Sequence, residues 1–159
     1  TPAKLVGSAG TLINLGKVKG FINADVEWID YNNNTFDFTA YSDDPAERDY
    51  SIEVNNEIED YLGSVLNLRL GGEFGYQSLR LRAGIESGDS PLSNDTEKIN
   101  TLSFGFGLRF DKFFIDLGIR NRKYTEGYVP YTLVDADQET LVNNEISQTR
   151  AVLTAGFKF

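Results

Sequence analysis

The strongest constraint in this chain is an alternation of period two that recurs along most of its length. In the segment 101–110, Leu102, Phe104, Phe106, Leu108 and Phe110 alternate with Thr101, Ser103, Gly105, Gly107 and Arg109. Successive side chains of a β-strand point to opposite faces, so the segment reads as a strand with one apolar and one polar face. Phe113, Ile115, Leu117 and Ile119 likewise oppose Asp116, Gly118, Arg120 and Arg122. Leu66, Leu68, Leu70 and Phe74 oppose Asn67, Arg69 and Glu73, and Leu79, Leu81, Ala83 and Ile85 oppose Arg80, Arg82 and Glu86. The last ten residues place Ala151, Leu153, Ala155, Phe157 and Phe159 on one face. Seven strands are expected, at 3–15, 20–31, 61–76, 77–87, 101–110, 113–122 and 148–159.

Strands of about 9–11 residues are long enough to cross a bilayer when tilted. No run of 18 apolar residues exists, so no transmembrane helix is expected. Mean hydropathy is −0.33, a value that alternating barrel strands conceal rather than reveal. The connections are expected to be short at 16–20, 75–77 and 111–112, and long and polar at 32–60, 88–100 and 123–147. Short turns on one side and long loops on the other are the habit of outer-membrane barrels.

Charge placement separates a membrane barrel from a soluble one. With these strand phases, Lys4, Arg69, Arg80, Arg82, Arg109, Arg120, Arg122, Arg150 and Lys158 fall on the polar face. So do Asp25, Glu27, Glu73, Glu86 and Asp116. Of the 24 acids, 17 fall in the three long loops, and only Asp30 falls on the apolar phase, at a strand end beside Trp28. A lipid-facing Arg or Lys at the bilayer midplane costs roughly 2–4 kcal/mol, which explains an apolar face with no charge along its middle. Aromatic residues form two groups, Trp28, Tyr31 and Tyr61 near the long loops and Phe74, Tyr76, Phe110, Phe113 and Phe159 near the short turns or the terminus. Two such belts are expected at two membrane interfaces.

Several kinds of chemistry are excluded within this chain. It contains no cysteine and no histidine, so disulfides, thiol chemistry and His-dependent triads are absent. Gly71, Gly72 and Gly75 make no phosphate loop, because no helix is expected after them. The acids within 43–60 and the run Asp135-Ala-Asp-Gln-Glu139 lack the glycine and spacing of a calcium loop and read as solvated. No enzymatic activity, cofactor or metal is expected, and no nucleic-acid partner.

The ordered set of strand sequences resembles the outer-membrane transporters of hydrophobic compounds known as the FadL type. The resemblance is carried by Gly20-Phe-Ile-Asn-Ala-Asp-Val-Glu-Trp-Ile-Asp-Tyr-Asn-Asn33, Asn55-Asn-Glu-Ile58, Val65-Leu-Asn-Leu-Arg-Leu-Gly-Gly-Glu-Phe74 and Leu79-Arg-Leu-Arg-Ala-Gly84. Phe113-Phe-Ile-Asp-Leu-Gly118 and the closing Leu153-Thr-Ala-Gly-Phe-Lys-Phe159 complete it. That family forms fourteen-stranded barrels. The resemblance therefore implies an all-β fold: a transmembrane antiparallel β-barrel, of which residues 1–159 are the carboxy-terminal half. It implies passage of long-chain fatty acids or other hydrophobic small molecules through the bacterial outer membrane. The family's hatch and lateral opening would lie in the amino-terminal half, so no substrate-binding residue is carried over.

Within this frame the expected lumen-lining residues are Arg69, Glu73, Arg80, Arg82, Glu86, Arg109, Asp116, Arg120, Arg122 and Arg150. The arginines are expected either to form a basic ladder that attracts carboxylates or to pair with Glu73, Glu86, Asp116 and the hatch, the second being preferred. Leu153, Ala155, Phe157 and Phe159 form the expected assembly signal, with Thr154 where such signals usually carry glycine. The partners implied are outer-membrane lipid and lipopolysaccharide, the amino-terminal half of the barrel, the barrel-assembly machinery and the hydrophobic substrate. A structural or secretion-system barrel of the same fold, a client held on the assembly machinery, and an outer-membrane hydrolase completed by the other half are the alternatives.

Overall fold

The computed structural model describes residues 1–37, 44–92, 97–128 and 142–158. The acidic run 135–139 and Phe159 of the assembly signal lie outside the described residues. Seven strands and one helix follow in the order β1 (Ala3–Leu15), β2 (Val18–Asp30), α1 (Pro45–Tyr61), β3 (Ser64–Tyr76), β4 (Leu79–Asp89), β5 (Lys98–Arg109), β6 (Phe113–Tyr128) and β7 (Val142–Phe157). The strands form a single sheet in sequence order, and every neighbouring pair is antiparallel.

The seven strands do not close on themselves, and no direct seam between the first and last strands is expected of half a barrel. Among the described residues β1 and β7 pair only with β2 and β6, so the sheet is open. Parity gives the reason. In a seven-stranded antiparallel meander the first and last strands run the same way, and a seam between them would be parallel.

Three connections are tight and lie at one end of the sheet. Leu15 and Val18 are register partners joined by Gly16-Lys17, and Tyr76 and Leu79 are joined by Gln77-Ser78. In each two-residue turn the first residue has positive φ, 67° at Gly16 and 51° at Gln77. Positive φ in the turn lets a two-residue loop follow the right-handed twist of its strands. The turn expected over 16–20 is thus shorter, and β3 runs through Tyr76. Gly16→Ala is expected to lower unfolding stability by roughly 1 kcal/mol, because a Cβ is disfavoured at positive φ. A denaturant midpoint unchanged by this substitution would contradict that turn geometry.

The long connections are shorter than expected. The segment 32–60 is not simply a loop, because α1 occupies 45–61. Asp44 caps the helix, its Oδ1 accepting from the Ala46 amide at 3.0 Å; Pro45 opens the first turn and Glu47 lies within it. Each favours a helix start. No described residue of α1 is buried, which is why no apolar stripe announces it. Its Asn55 side chain grips the Phe36 backbone, accepting from N at 2.6 Å and donating to O at 3.0 Å. The loops expected at 88–100 and 123–147 shrink because β4 reaches Asp89, β5 starts at Lys98, and β6 and β7 each run 16 residues. Among the described residues no helix is long and apolar enough to cross a membrane.

Burial is inverted relative to a water-soluble sheet. Val65, at 4% exposure, is the one buried apolar side chain among the described residues. The buried polar residues are Glu27, Asp30 and Thr101. Leu66, Leu68, Leu70, Leu81, Ile85, Leu102, Phe104 and Phe106 are exposed, while Asn67, Arg69, Glu73, Arg82 and Ser103 beside them are half-buried. Total accessible surface is 12065 Å². A compact monomer of this mass would show about 8,000 Å². The excess is the signature of a single sheet with no second layer on its apolar side.

Candidate functional site

Register aligns the two faces across all seven strands. Opposite residues of an antiparallel pair share a face, so the pairs Asp25–Arg69, Arg69–Glu86, Glu73–Arg82, Gly107–Asp116 and Arg120–Arg150 define the polar face. On it the charged side chains form two ionic chains that run across the strands.

The first chain runs from β1 to β6. The Lys4 ammonium meets Glu27, which also accepts from Arg69 at 2.9 Å. Arg69 in turn reaches Glu86 at 3.1 Å, and Glu86 lies 3.5 Å from Arg120. The Asn67 amide adds a bond to Glu27 at 3.0 Å. The second chain occupies the turn end. Glu73 lies between Arg80 at 3.7 Å and Arg82 at 2.5 Å, and Asp116 lies between Arg82 at 2.9 Å and Arg109 at 2.7 Å. Arg109 also stacks over the Phe114 ring, 4.7 Å from its centroid.

Glycine makes the second chain possible. Arg82 on β4 reaches Asp116 on β6 by crossing Gly105 of β5. A Cβ on Gly105 would sit 3.2 Å from the Arg82 Cβ and crowd that path. Gly75 leaves similar room for Arg80, whose guanidinium would be 2.7 Å from a Cβ there. Each of the four carboxylates is held between two cations. The arrangement fixes charge in place and gives the sheet a hydrophilic, rigid face.

The expected lumen-lining set therefore divides. Arg69, Glu73, Arg80, Arg82, Glu86, Arg109 and Asp116 are knitted into the two chains, and Arg120 hangs on by one long contact. Arg122 lies over the Tyr124 ring at 5.3 Å, and Arg150 stands opposite Arg120. Neither Arg122 nor Arg150 pairs with a carboxylate among the described residues. Sequence reasoning left Glu27, the hub of the first chain, out of this set although its polar phase was visible. It also missed an apolar stripe on the polar face near the free edge of β1. Leu12 and Phe21 are register partners there, with Leu12 86% exposed, and Val6 lies opposite Glu27. The adjacent Leu12 and Ile13, which break the alternation, were the available signal.

The opposite face is apolar through its middle. Ile22, Leu70, Leu81, Phe104, Phe106 and Leu117 border a shallow trough of about 740 Å³ on it. Among the described strand residues, charges on this phase occur only near the strand ends away from the tight turns, at Asp30, Asp89, Lys98, Lys123 and Glu145. Lys98 and Lys123, expected in loops, belong here because β5 and β6 are longer than their alternation suggests. Asp30 is satisfied by the Asn33 amide and the Ser64 hydroxyl, and Asp89 by the Leu66 amide at 3.2 Å and Lys98 at 3.3 Å. Of the assembly signal, Leu153, Ala155 and Phe157 lie on this face opposite Leu117, Ile115 and Phe113. Phe110 and Phe113 stack at 4.5 Å beside the last tight turn.

These features define a class: an all-β chain built on one open antiparallel meander, ion-paired on one face and apolar on the other. Comparison with protein-family models, curated proteins and solved structures gives no match.

Proposed function

We propose that this sheet is part of the wall of an outer-membrane β-barrel that passes hydrophobic compounds, in the manner of the FadL-type transporters it resembles. The observation that carries the membrane part is the exposed apolar band. From Leu66 to Tyr76 it spans one whole strand without a charge on that phase. At a rise of about 3.3 Å per residue and a tilt of about 40°, such a strand covers about 25 Å of bilayer, the height of a barrel's lipid-facing band. Tight turns at one end and α1 with the longer connections at the other match the periplasmic and outer sides.

In this reading lipid and lipopolysaccharide cover the apolar face, and the two ionic chains line a watery lumen. The edges of β1 and β7 each take a further strand, up to the fourteen of the resembled family, because unpaired backbone groups in lipid cost several kcal/mol each. Leu153, Ala155 and Phe157 serve as the signal met by the assembly machinery. The exposed Leu12–Phe21 stripe supports a hydrophobic cargo. The ion-paired part of the polar face, where each carboxylate lies between two cations, favours a second reading, a structural or secretion-system barrel whose lumen carries no such traffic.

Two measurements on the full-length protein in Gram-negative cells test this. It is expected in the outer-membrane fraction, resisting carbonate extraction and cut by external protease only in the long connections. Recovery as a soluble monomer without detergent would overturn the membrane part. Producing cells are then expected to take up oleate faster than control cells. Equal uptake in a correctly inserted protein would move the assignment to the structural barrel.

A further inference from the structure

The ion-pair map leaves one corner of the polar face unbalanced. Arg69, Arg80, Arg82 and Arg109 each have a carboxylate within 3.7 Å. Toward the β7 edge that pattern stops. Arg120 and Arg150 are direct register partners, and Arg122 follows two residues along β6 on the same face, opposite Gln148. Residues so paired have Cα atoms about 4.5–5.5 Å apart, and like charges directly opposite repel. The sole carboxylate reaching any of the three among the described residues is Glu86, 3.5 Å from Arg120 and shared with Arg69 at 3.1 Å. The neighbours across β5 are neutral: Ser103 opposite Arg120 and Thr101 opposite Arg122. Glu126 lies a further four residues along β6, opposite Asn144.

We propose that Arg120, Arg122 and Arg150 form a binding site for an oxyanion, a carboxylate or phosphate group. Guanidinium groups are planar forks that match both anions, and they remain charged at any working pH. An oxyanion bridging Arg120 and Arg150 replaces a repulsive cross-strand pair with two attractive contacts. Gln148 and Thr101 flank the site with neutral hydrogen-bonding groups. The site lies on the same polar face as the two ionic chains, where a hydrated anion can reach it. The inference rests on register and ion pairing and stands apart from the membrane reading.

The test is a titration of the full-length protein with sodium phosphate, sodium acetate and sodium chloride at constant ionic strength, read by calorimetry and by the denaturant midpoint. Saturable binding of phosphate or acetate is expected, with a rise in midpoint that chloride does not give. A response to phosphate alone or to acetate alone assigns the head group, and either supports the site. Arg150→Gln and Arg122→Gln are each expected to weaken binding at least tenfold, with Arg150→Lys losing less. Without anion, Arg150→Gln is expected to be no less stable than the parent, since it removes a repulsion. Far-UV circular dichroism identifies any variant that misfolds, and the other glutamine variant then decides. Equal protection by all three salts, or unchanged affinity in a folded glutamine variant, would overturn the site.

Discussion

Phe106→Arg is expected to collapse membrane insertion, while Ser103→Arg leaves it near the parent level. The two residues sit on the same strand three positions apart and on opposite faces. Phe106 is an exposed residue of the apolar band, between Leu81 of β4 and Leu117 of β6. In the proposed barrel wall a guanidinium there would meet acyl chains near the bilayer middle, at about 2–4 kcal/mol. At a factor of ten per 1.4 kcal/mol that is a loss of roughly 30- to 700-fold in the inserted population. Ser103 instead faces the ionic side, opposite Gly84 and Arg120. A new cation there adds cross-strand repulsion of roughly 0.2–1 kcal/mol. Folding into vesicles, followed by protease protection, measures both. Equal insertion would mean that the apolar face does not meet lipid.

The second large effect is expected at Gly20. This glycine of β2 packs against β3 so closely that a Cβ would collide with the Glu73 carbonyl and lie 2.9 Å from the Phe74 ring. The collision is with backbone, which cannot swing aside as a side-chain end can. Gly20→Val is therefore expected to destabilise the sheet by roughly 1–3 kcal/mol, the range for forcing volume into a filled site. Gly7→Val on β1, where a Cβ would meet nothing within 4 Å, should cost little. Matching denaturant midpoints for the two variants would show that β2 and β3 are not joined in this register.

The strands were legible because a one-sided sheet writes its two environments into alternate residues. The alternation of Leu66, Leu68 and Leu70 with Asn67 and Arg69 survives any tilt or twist. α1 was not legible by the same rule, since with no described residue buried it has no apolar stripe to display. The cap Asp44-Pro45 and the first-turn Glu47 were its only marks. The outer ends of β6 and β7 escaped notice for a related reason. Tyr124, Thr125 and Glu126 pair with Ile146, Glu145 and Asn144 but lie beyond the apolar band, so neither face selects for hydrophobicity.

The polar site was half legible. Which face Arg82 and Asp116 occupy follows from strand phase alone. That they meet does not, because they are two strands apart and the contact depends on register across Gly105. The same dependence decides which arginines are neutralised. Arg82 finds two carboxylates and Arg150 finds another arginine, and nothing local in the sequence distinguishes them.

The uneven strand lengths have a mechanical consequence. Up to Lys123, β6 is laced to β5 on one side and β7 on the other; beyond it, through Tyr128, its ladder continues among the described residues with β7 alone. Five residue pairs thus extend the sheet by about 15 Å as a ribbon two strands wide, tied to the β5 side by the Thr125 hydroxyl donating to Glu97 at 2.7 Å. Such a ribbon has little stability of its own. Amide protons of 124–128 should therefore exchange through local fraying, and those lower on β6 only when the whole sheet opens. One continuous strand has two grades of cooperativity, and the step between them falls at Lys123.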